Sequence, residues 1–184
     1  MSYHLIVAID NKNGIGKNCK MPWDFKEDLK HFSKLTTGNG NNAVIMGKNT
    51  WLSINSKCLP NRINIVISKT LKSTYKNNPH YTFNSVEDFI DYSKKMNIDE
   101  YWIIGGQDIY KHFLELNICA SCYITKIENN YDCDRYFPID LCYKNMFLDN
   151  VTILENTTNI LTRIFKYTNN DNIHLEINKL LDIS

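Results

Sequence analysis

The sequence predicts an α/β domain with a mostly parallel central sheet and helices on both of its faces. Two observations indicate this fold class. Amphipathic, helix-like segments alternate with short apolar segments, which is typical of strand–helix–strand units. The apolar segments are also almost continuous, as expected of strands that are covered on both faces: HLIVAI, NAVIMG, INIVIS, EYWIIGG and CYITKI.

Three amphipathic segments are predicted to be helices. The first begins within MPWDFKEDLKHF, residues 21–32. The second, SVEDFIDYSKKM, has Ser85 as its expected N-cap and acidic residues in its first turn. The third, QDIYKHFLEL, follows directly on Gly105 and Gly106, and a further helix is expected to begin at Lys48.

The segment after Pro138 has a different pattern. NVTILENTTNILTRIFKYT is typical of two strands around a polar turn, which predicts a C-terminal antiparallel hairpin at the edge of the sheet. We therefore expect one domain over residues 1–168. Residues 169–184 are expected to form a C-terminal extension, either a linker or the start of a further domain, or instead a simple C-terminal helix that packs on its own domain or on a partner.

Composition excludes several functional classes. The chain has 184 residues, of which 43% are hydrophobic, and a formal net charge of +1. This suits one soluble globular domain and disfavours a general nucleic-acid binder, which usually has a strong basic excess. No apolar segment has membrane-spanning length, and MSYHLIVAID lacks the pattern of a secretory signal. We expect a cytoplasmic location.

The six cysteines do not have the spacing of a zinc site. Cys119 and Cys122 form a C-x-x-C motif, but they lie in a predicted strand. Residues three apart on a regular strand point to opposite faces, so this pair is not expected to bind one ion. We expect reduced, structural thiols and no metal.

Asp28 is the most informative residue of the first helix. At about 100° per residue, Asp28 projects between Phe32 and Leu35, inside the apolar arc of the helix. A carboxylate is costly to bury there without a partner. Two interpretations follow: Asp28 stabilises the helix start as a capping or edge acid, or it points inward toward a ligand.

Three loops could supply such a ligand site. NGIGKNCKMPW contains Gly14 and Gly16 and could fold over a ligand. VIMGKNTW and WIIGGQDIY each end a strand with glycine and begin a helix, where backbone amides favour anions. Two such sites at the carboxyl ends of strands in one sheet indicate a ligand with more than one phosphate.

Five segments together are more specific: MPWDFKEDLKHF, VIMGKNTWLSI, LPNRINIVIS, WIIGGQDIYKHFL and YFP. In this order and spacing, over about residues 3–168, the chain resembles the dihydrofolate reductase family. The resemblance implies reduction of 7,8-dihydrofolate to tetrahydrofolate by hydride transfer from NADPH to C6, with protonation at N5. Spacing alone predicts only an α/β enzyme that binds a phosphorylated cofactor.

The resemblance also implies roles for residues on the substrate side. Asp28 would bind the 2-amino group and a ring nitrogen of the pterin and promote protonation through ordered water. Thr125 matches the residue that hydrogen-bonds this carboxylate, Trp23 completes the catalytic set, and Arg62 matches the arginine that pairs with the α-carboxylate of the glutamate tail. The other expected substrate contacts are apolar: Leu29, Phe32, Ile54, Leu59 and Ile104.

The expected cofactor contacts fall into four groups. Those near the nicotinamide are Ala8, Ile15 and Gly16. Those on the pyrophosphate side are Lys48, Asn49 and Thr50. Those at the 2′-phosphate, where a cation favours NADPH over NADH, are Ser68 and Lys69. Those that hold the phosphates, with a cis peptide expected between the first two, are Gly105, Gly106, Gln107, Asp108, Ile109 and Tyr110.

Two departures from the family pattern, and two alternatives, stay open. Asp108 should repel a pyrophosphate unless it points away, and Arg135 stands where a threonine is usual. The related reductase of riboflavin synthesis shares the fold class, but it lacks the arrangement that contains Asp28 and Arg62. A non-catalytic folate- or RNA-binding relative is disfavoured by the neutral charge. We expect a monomer, unless the chain is fused to a dimeric thymidylate synthase.

Overall fold

The computed structural model describes residues 1–71, 78–154 and 160–169. The strands in these ranges are β1 (Ser2–Ile9), β2 (Gly14–Gly16), β3 (Ala43–Gly47), β4 (Ile63–Ile67), β5 (Tyr81–Phe83), β6 (Glu100–Gly105), β7 (Cys119–Ile127), β8 (Arg135–Tyr136), β9 (Met146–Ile153) and β10 (Thr162–Asn169). The helices are α1 (Lys26–Thr37), α2 (Lys48–Ser53), α3 (Val86–Ser93), α4 (Gln107–Glu115) and α5 (Ile139–Asn145).

The central sheet has the strand order β5-β4-β3-β6-β1-β7-β10-β9 among the described residues. From β5 to β7 every neighbouring pair is parallel. The described helices α1, α2, α3 and α4 lie in the connections that join parallel strands of this sheet. β10 is antiparallel to both β7 and β9, and β9 forms the edge. The predicted parallel sheet with an antiparallel hairpin at its edge is therefore confirmed.

Helices cover both faces of the sheet, as predicted. On one face, Phe89 of α3 and Phe113 of α4 are fully buried in a cluster with Leu5 of β1. On the other face, Trp51 of α2 is buried in a second cluster, against which Phe32 of α1 packs. The central parallel strands are almost continuously apolar because the side chains on both faces of the sheet are buried there.

Some elements differ from the sequence expectation. Ser85 caps α3 as expected, since its Oγ accepts a hydrogen bond from the backbone N–H of Asp88 at 3.1 Å. β9 begins at Met146, four residues before the segment NVTI that was predicted as a strand. The three-residue β2 and two-residue β8 form a small separate antiparallel sheet, and segments this short carry no periodicity that could predict them.

The expectation that Cys119 and Cys122 face opposite ways is wrong. Tyr3 pairs with Cys119 and the next residue, His4, pairs with Ser121, so the extra residue Ala120 makes a bulge that rotates the strand. Both thiols consequently point into the same core cluster. All six cysteines are free, and no group of three metal-ligating side chains occurs within the described ranges.

The C-terminal end of the described chain is the end of β10. Asn169 pairs with Met146, and its side-chain amide donates to the carbonyl of Asn117 at 3.3 Å. The predicted extension continues through residues 170–184, which lie outside the described residues, so the division at residue 168 stays a prediction. None of the helices in the described part of the chain is both long and apolar enough to cross a membrane.

Candidate active site

The predicted substrate-side residues lie at the carboxyl ends of the central strands, on the face that carries α1 and α2. Ala8 of β1 pairs with Thr125 of β7 at this end of the sheet. Ile104 of β6 packs against the same cluster as Trp51 of α2. Because side chains alternate along a strand, these positions share the face of buried Ile6. The site is therefore formed where β1, β6 and β7 end beneath α1.

Asp28, the third residue of α1, points into the protein. Only 8% of its surface is exposed, whereas the next residue, Leu29, is 44% exposed. Burial raises the pKa of the Asp28 carboxyl, and the hydrogen bond from the Thr125 hydroxyl and the nearby His31 lower it in part. Asp28 therefore points inward, as the helical spacing indicated, whereas its role toward a ligand stays a prediction. A buried carboxyl with a raised pKa is characteristic of a functional site.

Trp23 lies in the loop before α1 and is buried against Phe25 and Ile127. Its ring centroid is 5.1 Å from that of Tyr131. Within the described residues, its buried Nε1–H has no hydrogen-bond partner. A buried donor without a partner costs about 1–3 kcal/mol, so this N–H is suited to a polar atom of a ligand or of solvent.

Arg62 is held rigidly, with 8% of its surface exposed. Its Nε donates to the Pro60 carbonyl at 2.9 Å, one terminal nitrogen donates to the Thr36 hydroxyl, and the other contacts Ser33 Oγ at 3.5 Å. The Phe32 ring lies 5.9 Å from its Cζ. Among the described residues, all these contacts are uncharged. A buried cation with only neutral contacts fits an anionic ligand.

The predicted apolar contacts differ in burial. Leu29 is largely exposed beside Asp28 on α1. The others are partly buried and pack on the cluster around Trp51: Phe32, Ile54, Leu59 and Ile104. The structure therefore brings four of the five residues to one apolar cluster, and leaves Leu29 exposed on α1 beside Asp28.

The two glycine-containing loops of the cofactor side touch each other. A Cβ atom on Gly106 would lie 3.4 Å from Thr50 Oγ1, and one on Gly47 would lie 3.1 Å from Ile109. Gly105 has a φ of +114°, which favours glycine, and the Gly105–Gly106 peptide is cis, as the resemblance implies. The starts of α2 and α4 therefore pack closely against each other through these glycines.

Lys48 reaches from α2 to the loop after β4. Its Nζ donates to Thr70 Oγ1 at 3.0 Å. In the same loop, Ser68 Oγ accepts hydrogen bonds from the backbone of Thr70 and Leu71 at 3.1 and 3.0 Å, and Lys69 is exposed. The structure thus brings Lys48, which was expected on the pyrophosphate side, close to the loop expected to bind the 2′-phosphate.

Several side chains in the expected phosphate-binding segments point elsewhere. Asn49 and Asp108 are exposed, and the expectation that Asp108 points away from a pyrophosphate stays a prediction. The hydroxyl of buried Tyr110 donates to the Ile6 carbonyl at 2.9 Å. Gln107 Oε1 accepts a hydrogen bond from the backbone N–H of Tyr136 at 2.9 Å. The side chains of Gln107 and Tyr110 are therefore engaged within the protein, so a ligand at the start of α4 would have to bind the main chain.

The loop expected near the nicotinamide is anchored by β8. Gly14 and Gly16 of β2 pair with Tyr136 and Arg135, while Ile15 between them packs partly on the core. The side chain of Arg135 is exposed and donates to the Asp134 carbonyl. The pairing places Gly16 next to β8, whose Tyr136 is hydrogen-bonded to Gln107 of α4.

The sequence did not indicate some residues that shape the site. Thr36 and Ser33 orient Arg62, His31 lies beside Asp28, and Tyr131 packs on Trp23. Thr36 lies eight residues after Asp28, a helical spacing that puts both on one side of α1, and this pattern could have identified it.

Comparisons with known proteins agree with this geometry. The family model described as dihydrofolate reductase matches residues 2–167. The viral dihydrofolate reductase of Saimiriine herpesvirus 2 is 37% identical over 163 residues, which cover 83% of this chain and 76% of that protein. Dihydrofolate reductase of Gallus gallus is 37% identical over 158 residues, covering 80% and 82%.

A bifunctional relative and a solved structure were also found. The bifunctional dihydrofolate reductase-thymidylate synthase of Paramecium tetraurelia is 36% identical over 146 residues, and the match spans 79% of this chain and 29% of that protein. A solved dihydrofolate reductase from Enterococcus faecalis, complexed with NADP(H) and RAB-propyl, has a TM-score of 0.80 and 24% identity, covering 92% and 96%, which shows the fold. This chain belongs to the dihydrofolate reductase family.

Proposed function

We propose that this chain reduces 7,8-dihydrofolate to 5,6,7,8-tetrahydrofolate with NADPH. The observation that carries the proposal is Asp28, a carboxyl that is buried beside Thr125 and points inward from α1. A carboxylate that served only as a helix cap would lie at the surface. The family and this geometry together favour an oxidoreductase over a binding module.

Asp28 and Arg62 are suited to the two ends of dihydrofolate. The Asp28 carboxylate can accept hydrogen bonds from the 2-amino group and a ring nitrogen of the pterin, and the Thr125 hydroxyl fixes its orientation. The apolar side chains between the two charges can enclose the flat rings. The guanidinium of Arg62, held by Thr36 and Pro60, presents its remaining N–H groups to the α-carboxylate of the glutamate tail.

The residues on the proposed cofactor side fit NADPH, which supplies the hydride when bound. Gly105 and Gly106 lead directly into α4, and the backbone N–H groups of its first turn can bind a phosphate. Lys48 and Lys69 lie at the loop that contains Ser68, where positive charge favours the 2′-phosphate of NADPH over NADH. Asp108 is exposed, so solvent would screen its charge from a phosphate bound there.

Asp28 and Trp23 are suited to control the proton that N5 receives. Burial raises the pKa of Asp28, which brings its titration closer to neutral pH, where proton transfer is most effective. The buried Nε1–H of Trp23 can orient a solvent molecule near the same ring. We assign these two side chains, with Thr125, the catalytic role.

A spectrophotometric assay tests the proposal directly. We expect dihydrofolate-dependent loss of NADPH absorbance, with a much weaker rate when NADH replaces NADPH at equal concentration. A chain that binds dihydrofolate but never oxidises NADPH would instead be a non-catalytic relative. Turnover of a pyrimidine precursor of riboflavin, without turnover of dihydrofolate, would instead indicate the related reductase of riboflavin synthesis.

The remaining assignments are proposals as well. We propose a cytoplasmic protein, because all six cysteines are free and disulfides are rare in that compartment. We propose a monomer unless the domain is joined to a thymidylate synthase, an arrangement that the bifunctional relative has. In that case residues 169–184 would belong to the junction. Sedimentation of the chain together with the sequence of its gene beyond Ser184 would decide between these states.

A further inference from the structure

Gln107 connects two parts of the proposed site that are far apart in the sequence. It is the first residue of α4, directly after Gly106 at the expected phosphate site. Its side-chain oxygen accepts the backbone N–H of Tyr136 in β8 at 2.9 Å, across 29 residues of sequence. The side-chain oxygen of Gln107 is therefore engaged by the backbone of β8 and is not presented to a ligand.

Residues 132–137, here called the support segment, hold residues 13–20, here called the lid segment. Gly14 and Gly16 pair with the support segment through β8. The backbone N–H of Asp134 donates to the Gly16 carbonyl at 2.9 Å, and the Asp134 carboxylate accepts the N–H of Asn18 at 3.0 Å. The lid segment is thus fixed mainly by contacts with the support segment.

The support segment is in turn fixed to α4. Phe137 is buried, with its ring centroid 5.4 Å from that of Tyr110. One residue earlier, the N–H of Tyr136 is held by Gln107. The chain of contacts therefore runs from the lid segment through the support segment to the first turn of α4, where the cofactor phosphates are expected.

We propose that Gln107 is a positioning residue that couples the first turn of α4 to the placement of the lid segment over the nicotinamide end of the cofactor. This inference rests on the proposed function for its catalytic consequence, although the anchoring itself does not. Gln107 then serves both events: its backbone lies at the start of α4, where a phosphate is expected, and its side chain holds the support segment.

Two variants of Gln107 separate anchoring from phosphate binding. Gln107→Met keeps nearly the same length and shape but removes the acceptor, so it should release the support segment. Gln107→Glu keeps an acceptor oxygen for Tyr136 and adds a negative charge near the phosphates. The matched control is Lys111→Met, which changes an exposed side chain on the same helix and touches neither segment.

Trypsin reports the lid segment without any reference to activity, because Lys17 and Lys20 are cleavage sites within it. Loss of one hydrogen bond should accelerate cleavage at these lysines about fivefold in Gln107→Met. Gln107→Glu and Lys111→Met should be cleaved at the parental rate. Parental cleavage of Gln107→Met, or equal acceleration in Gln107→Glu, would overturn the proposal.

Steady-state kinetics give the second measurement. In Gln107→Met, kcat/KM for NADPH should fall about fivefold, mostly through kcat, and the KM for dihydrofolate should change less than twofold. In Gln107→Glu the loss should appear in the KM for NADPH instead. An unchanged kcat in Gln107→Met with faster cleavage would reject the coupling to catalysis. A parent without reductase activity would refute the proposed function, while the tryptic rates would still decide the anchoring.

Discussion

The substrate side and the cofactor side of the proposed site are built in different ways. On the proposed substrate side the key groups are buried side chains, Asp28 and Arg62. On the proposed cofactor side they are backbone groups at the start of α4 and exposed cations such as Lys69. Buried charges interact more strongly than solvated ones, so single side chains should matter far more on the substrate side.

The largest effect should come from Asp28→Asn. Asparagine keeps the shape, but it cannot supply negative charge to a protonated pterin. We expect kcat and kcat/KM for dihydrofolate to fall by about 2–4 kcal/mol of transition-state stabilisation, with NADPH affinity nearly unchanged. Some activity should return at acidic pH, where part of the substrate is already protonated. A pH–rate profile beside the parent measures this, and parental kcat at neutral pH would remove Asp28 from the catalytic set.

The same variant should be more stable than the parent at neutral pH. Burial raises the pKa of Asp28 above its ordinary value of 3.8, so the folded chain holds this proton to higher pH than the unfolded chain does. Asp28 therefore lowers stability progressively as pH rises from about 3.8 through the raised pKa. Urea unfolding should show the advantage of Asp28→Asn at pH 7 and a smaller one near pH 4.

Arg62→Leu should have the next largest effect, and mainly on substrate binding. Loss of a charge-assisted contact with a carboxylate should cost about 1.5–3 kcal/mol of binding free energy. The KM for dihydrofolate should rise accordingly, with kcat at saturation largely retained. A dihydropterin substrate that lacks the glutamate tail should bind parent and variant alike. If that truncated substrate also loses affinity, Arg62 acts by shaping the site and not by binding the tail.

Thr125→Val should have a smaller effect on the same carboxyl. The Thr125 hydroxyl lowers the pKa of Asp28 against the effect of burial, so removing it should raise that pKa further. The acidic limb of the kcat/KM profile for dihydrofolate should then move to higher pH. At neutral pH, kcat/KM should fall by an amount that corresponds to about 1 kcal/mol of transition-state stabilisation. An unshifted limb would mean that Thr125 does not act through Asp28.

Lys69→Glu should have the smallest effect and should discriminate between cofactors. An exposed attraction becomes a repulsion of about 1 kcal/mol, which acts only where a 2′-phosphate is present. We expect the KM for NADPH to rise and that for NADH to stay within twofold. Lys111→Glu makes the same charge change elsewhere on the surface and should alter neither, so equal losses in both variants would indicate a general field effect.

The sequence predicted these two sides unequally. Helical spacing alone placed Asp28 inside the apolar arc, and strand–helix alternation predicted the sheet, because both are periodic and local. The role of Arg62 came from the resemblance, since nothing local distinguishes it from a surface arginine. The bulge at Ala120 and the bond from Tyr136 to Gln107 depend on chain segments that meet only in the folded protein. Such contacts leave no pattern in neighbouring residues.

The bulge at Ala120 has a practical consequence. By turning Cys119 and Cys122 toward Cys142, it leaves three thiols in the core, and burial raises the pKa of Cys119 to about 12. Cys19 and Cys58 are exposed and should react with a thiol reagent at once. The three thiols of this cluster can react only when the sheet opens. Their labelling rate in the native chain therefore measures opening of the core, and a ligand that binds the folded chain should slow it.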